Sequence, residues 1–82
     1  GATAPKNLNK IQASAMSGRS FEQKAKNLVV DIAGNTLEGE AREFSSGSRG
    51  WYLGGKIQIK VGKKLLWAQA GLNVTLCGSK DW

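Results

Sequence analysis

The chain has 82 residues and 8.8 kDa, with twelve Lys and Arg against six Asp and Glu, a net charge of +6, and no histidine. One domain accommodates this length, and a chain this small buries only about 60% of the surface its unfolded form exposes. No run of 18 apolar residues is present, which excludes a membrane-spanning helix; one Cys and no His exclude Cys/His zinc sites, Cys–His nucleophiles, a Ser-His-Asp triad and an internal disulfide. The expectation is a binding protein, not an enzyme, with no cofactor and no metal.

Residues 1–41 carry five basic and four acidic groups, a net +1; residues 42–82 carry seven and two, a net +5. Such an excess attracts phosphates and anionic surfaces through its long-range field, but it specifies no fold.

Residues 1–18, GATAPKNLNKIQASAMSG, are small and polar. They lack the apolar stretch of a signal peptide. Gly1–Pro5 reads as a mature start after cleavage or as a cloning remnant. Asn7–Met16 holds at most a helical turn, with Leu8 and Ile11 three apart. The segment is expected to be flexible, and residues 19–82 to form a single β domain.

From Lys26 the apolar period is two. Leu28, Val30 and Ile32 alternate with Asn27, Val29 and Asp31, and Leu37, Gly39 and Ala41 alternate with Glu38, Glu40 and Arg42. Gly34-Asn35 between the two runs predicts a hairpin turn. Gly39 and Ala41 leave room on the apolar face for large partners, and Trp51 and Trp67 are expected to fill it as core residues.

Glu43–Gly50, EFSSGSRG, reads as a loop. In Lys56–Val61, Ile57, Ile59 and Val61 point one way and Lys56, Gln58 and Lys60 the other. Gly62-Lys63 suits a type II′ hairpin turn. Leu65–Gln69 follows, and then Leu72, Val74 and Leu76 alternate with Asn73, Thr75 and Cys77. About five to six short strands with turn signals between them predict an all-β fold, a small antiparallel sandwich or barrel.

Several features bear on function. Lys56, Lys60, Lys63, Lys64 and Arg49 form a candidate basic patch, with Gln58 and Arg42 nearby in sequence. With Trp51 and Tyr52 adjacent, such a patch tracks phosphates and stacks bases; alternatively, strand lysines solubilise a sheet and discourage edge pairing. Tyr52, opposite in parity to Trp51, is expected to be exposed, and Trp82 to fray at the terminus. Asn73-Val74-Thr75 is a glycosylation sequon inside an expected strand, where it would go unused. Cys77 is either a half-buried thiol or, in a secreted protein, a partner in an intermolecular disulfide. Glu38 and Glu40 share a strand face with carboxylates within about 7 Å, and read as an exposed face toward lysines more readily than as a paired-carboxylate site.

Ser20–Leu28 and Gly34–Arg42, followed by Gly50-Trp51, Ile57-Gln58-Ile59 and Gly62–Trp67, resemble a repeat of the cyanovirin-N homology family. Gly71–Cys77 resembles the opening of a second repeat. The likeness covers about residues 20–77. Ala25 and Ala41 stand where cystine-bearing members have their first cysteine pair. The family has two tandem repeats, and this chain has one plus fragments; a homodimer supplying the second repeat, or a different fold of similar strand order, accounts for this. The resemblance implies a lectin for mannose-type oligosaccharides. It places the sugar on Ser20, Gln23 and Lys24 and on Arg42, Glu43, Phe44 and Ser45. Gln, Arg and Glu supply the fixed donors and acceptors that hydroxyls need.

Three binding classes therefore stand as expectations: a lectin, a small secreted effector acting through protein contacts or its basic patch, and a nucleic-acid or anion-binding module.

Overall fold

The computed structural model describes residues 3–82; Gly1 and Ala2 of the expected N-terminal segment lie outside the described residues. The elements run α1 (Leu8–Gln12), α2 (Gly18–Lys24), β1 (Leu28–Ile32), β2 (Asn35–Gly39), β3 (Ala41–Glu43), β4 (Arg49–Val61), β5 (Lys64–Thr75) and a 3₁₀ turn at Ser79–Asp81. The protein is mostly β, in two small antiparallel sheets that do not close into a barrel: β1 pairs with β2, and β3-β4-β5 form the other. No helix among the described residues is long and apolar enough to cross a membrane.

The two expected hairpins form, but the first turns one residue earlier than expected. Ile32 pairs with Asn35, so Ala33 and Gly34 are the central pair, at φ 51° and 82°. Two positive φ values define a type I′ turn, whose twist matches that of the strands. Gly34 takes this conformation freely, whereas Ala33 crowds its Cβ against the backbone. Ala33→Asn is therefore expected to stabilise the fold by about 0.5–1 kcal/mol, read as a higher urea midpoint at unchanged slope.

Asn35 itself begins β2, and its side chain joins the two sheets. The amide nitrogen donates to the carbonyls of Ile32 (3.0 Å), Ala33 (3.2 Å) and Gln58 (2.9 Å), while Oδ1 accepts from the Gln58 N–H (3.2 Å). One amide thus satisfies both main-chain groups of Gln58, as a neighbouring strand would.

The second hairpin is longer than its two predicted runs suggest. Lys64–Thr75 is one continuous strand, paired without interruption from Val61↔Lys64 to Gly50↔Thr75. At the turn, Gly62 has positive φ (61°) and Lys63 does not, as type II′ requires.

Opposed residues share a sheet face. The inner face carries Leu53 and Ile57, which pack on Leu37 to form the buried core, with Leu28, Val30, Ile32, Trp51, Ile59, Ala68, Ala70 and Val74 around it. The space beside Gly39 is taken by the backbone of β4 at Tyr52 and by Leu53, not by a tryptophan ring.

A second cluster closes the other end. The helix α2 was not signalled by the strand alternation. It starts at Ser17, whose hydroxyl accepts from the Ser20 N–H at 3.1 Å, an N-cap. It buries Phe21, whose ring meets Trp51 edge-on at 5.6 Å and Trp82 at 5.8 Å. Trp51 Nε1 donates to the Lys26 carbonyl at 2.8 Å. Trp82 does not fray as expected: its Nε1 donates to the Gln12 carbonyl at 2.9 Å, and the Gln12 side chain donates to the Cys77 carbonyl at 2.7 Å. The expected N-terminal segment is tied to the far end of the chain by these bonds.

The molecule is elongated, 49 × 27 × 20 Å, with a radius of gyration of 15.7 Å; a compact chain of this length has about 12 Å. The distal part of the β4–β5 hairpin extends past the Asn35–Gln58 junction as an arm.

Candidate nucleic-acid interface

The β4–β5 hairpin places side chains by its register, from Lys56 beside the core to the turn at the tip of the arm. Lys56 lies opposite Gln69, Gln58 opposite Trp67 and Lys60 opposite Leu65, all on the outer face. Trp67 therefore stands on the lysine face, and 70% of its surface is exposed. This overturns its expected place in the core; Trp51 alone is half-buried there. Tyr52, as expected, is exposed (45%) and shares the outer face, opposite Asn73.

Lys56 and Lys60 are four residues apart along β4, about 14 Å. Trp67 stands level with Gln58, midway between them. Tyr52 lies about 20 Å from that level along the strand. Lys63 and Lys64 are exposed at the turn, Lys64 at an inner-face position. From Phe44 to Lys80 the sequence has no acidic residue. The arm therefore combines an uncompensated positive field with an indole ring lying open between two ammonium groups. This is the donor set for a phosphate backbone and a stacked base.

Arg49 departs from the expected patch. Its side chain is turned inward, with 14% of its surface exposed. The guanidinium pairs with Glu43 at 3.3 Å and donates to the Ser79 carbonyl at 3.1 Å and the Trp82 carbonyl at 3.3 Å. Its backbone N–H donates to the Ser79 hydroxyl at 2.7 Å, and that hydroxyl donates to the Arg49 carbonyl at 3.1 Å. Gly18 lies against the guanidinium, where any Cβ would collide with it. Arg49 is a structural cation that joins β4, α2 and the C-terminal turn.

The residues expected to hold sugar are only partly gathered. Arg42 and Glu43, on β3, border a hollow of about 200 Å³ with Phe21 and Glu22 of α2. They also border an open cleft of about 560 Å³ with Glu38, Glu40 and Tyr52. The Arg42 guanidinium lies 5.3 Å from the centre of the Phe44 ring. Ser20, Gln23, Phe44 and Ser45 line neither hollow, and Lys24 lines a separate apolar one with Met16 and Trp51. Glu38 is engaged by the Asn27 amide at 2.8 Å. Asn73 lies within β5, and Cys77 is an exposed free thiol beyond its end.

No family model, curated protein or solved structure matches the chain.

Proposed function

We propose that this protein is a non-enzymatic binding module that holds single-stranded nucleic acid on the outer face of the β4–β5 arm. The observation that carries this reading is the exposed Trp67 ring between Lys56 and Lys60, in a segment free of acidic residues from Phe44 to Lys80. Trp67 is flanked on the same face by exposed Leu65, and a contiguous exposed apolar surface rimmed by polar side chains marks an interaction site. Lys56, Lys60 and Lys63 contact phosphates, Trp67 stacks a base, and Gln58 supplies a donor and an acceptor without charge. The β1–β2 hairpin laid against the three-stranded sheet, read as a small open sandwich, serves as the rigid base from which the arm projects.

A labelled single-stranded oligonucleotide titrated at several salt concentrations tests the reading. Three lysine–phosphate contacts give a slope of log K against log salt near −2, at about −0.7 per contact. NMR shifts are expected at Lys56–Lys60 and Trp67. Absence of binding at low salt would overturn the reading.

The cleft beside Tyr52 supports a second reading, an oligosaccharide site. An aromatic ring, three carboxylates and the Arg42 guanidinium around about 560 Å³ match the chemistry of hydroxyl recognition. A mannose oligosaccharide added to the same labelled sample is expected, on that reading, to shift Glu40–Glu43 and Tyr52 and leave the arm silent.

A further inference from the structure

We propose that β5 pairs antiparallel with β5 of a second copy, about a two-fold axis through Ala70, to give a six-stranded sheet. The inference is independent of the nucleic-acid reading, and its test contains no nucleic acid. It starts from an open edge. In the order β3-β4-β5, the strand β5 is bonded on one side only, and among the described residues no turn or loop backbone hydrogen bond involves residues 64–75. The twelve-residue strand is paired to β4 in unbroken register, with no bulge to twist its edge away.

Natural edge strands are protected by charges, prolines, bulges or shortness. Leu65–Thr75, LLWAQAGLNVT, has eleven residues with neither a charge nor a proline. Its length is about 37 Å, three-quarters of the 49 Å long axis. Among the described residues the monomer that carries this edge buries four apolar side chains, Phe21, Leu37, Leu53 and Ile57, and leaves Leu65 and Leu66 60% and 48% exposed.

The sequence of β5 is complementary to itself in one register. Centred on Ala70, opposed residues have even-numbered partners on the inner face and odd-numbered partners on the outer. Leu72 meets Ala68 of the second copy and Val74 meets Leu66, which continues the apolar inner row. On the outer face Leu65 meets Thr75, and Trp67 meets Asn73 with its ring still open to solvent.

The self-complementary register selects the second copy, and charge does not prevent it. Two chains of +6 repel, and this edge is where they approach with least cost. In the Ala70 register the Lys64 residues of the two copies stand twelve residues apart, about 40 Å, well beyond the screening length. Each arm tip instead reaches past Thr75 of the other copy, beside a hollow of about 370 Å³ whose lining carries one charge of each sign, Lys80 and Asp81. Because the axis is perpendicular to the sheet, both lysine faces lie on the same side of the dimer.

Sedimentation equilibrium of the full chain, under reducing conditions so that Cys77 forms no link, tests the proposal. The wild type is expected to weigh twice the 8.8 kDa chain as concentration rises. Leu65→Lys with Thr75→Lys sets like charges opposite each other twice and is expected to weaken the dimer about tenfold or more. Leu65→Lys with Thr75→Glu sets opposite charges there and is expected to restore dimerisation. Far-UV circular dichroism confirms that both variants keep the fold. A wild type that stays monomeric at every concentration overturns the proposal. So does a dimer indifferent to the lysine pair, or one the lysine–glutamate pair fails to restore.

Discussion

Replacing Lys56 and Lys60 by glutamate is expected to weaken single-stranded oligonucleotide binding by roughly a hundredfold or more at moderate salt. The double change shifts the charge of the outer face by four units in a segment with no acidic residue between Phe44 and Lys80. Both side chains are exposed strand positions, so the thermal midpoint is expected to stay within a few degrees of the wild type. Trp67→Ala separates stacking from charge. It is expected to cost about 1–3 kcal/mol of binding, a factor of roughly 5 to 150, without changing the salt slope. Equal binding by wild type and both variants, measured by fluorescence anisotropy, would remove the arm from the interface.

Arg49→Ala is expected to be strongly damaging to the fold although it touches no side chain of the apolar core. It leaves the Ser79 carbonyl with the Trp82 N–H alone, and the Trp82 carbonyl and Glu43 without the guanidinium. It also opens space beneath Gly18, which the guanidinium fills. A hydrogen bond to a charged group contributes about 1.5–3 kcal/mol, and Glu43 is largely exposed and adds little. The expected loss is about 3 kcal/mol, or roughly 10–20 °C in Tm for a chain of this size. Arg49→Lys keeps the charge but has one nitrogen where the guanidinium uses Nη1 for the two carbonyls and Nη2 for Glu43, and is expected to recover only part of the loss. A thermal melt of the three proteins decides this; an alanine variant as stable as the wild type would show that the inward cation contributes nothing.

The strands were legible because each leaves a two-residue alternation. The first turn was misplaced by one residue because Gly-Asn is a turn signature, whereas an alanine at positive φ carries none. A two-residue turn at Gly62-Lys63 already pairs Val61 with Lys64, and counting back along both strands pairs Trp67 with Gln58. That parity places the ring on the lysine face. The apolar parity of β5 changes near Ala70-Gly71, from Leu65 and Trp67 at odd positions to Leu72 and Val74 at even ones, which disguises one continuous strand as two. Arg49 left no such trace. It sits in a Ser/Gly-rich stretch, and the groups that draw it inward are 30 and 33 residues away. Nor does α2 announce itself, since a seven-residue helix with one buried side chain has almost no period to read.

The bonds from Gln12 to Cys77 and Trp82 join positions 65 and 70 residues apart. Both hairpins, by contrast, close turns of two residues. Closing a long loop costs entropy that a local turn does not, so the order of assembly is set by sequence separation. The hairpins form first, Asn35 then docks one on the other, and the clasp between α1 and the C-terminal turn closes last. Held by two hydrogen bonds and no buried α1 side chain, it is also the first part to release. Amides of α1 therefore exchange with solvent through local opening, long before those of β4 require the whole sheet to come apart.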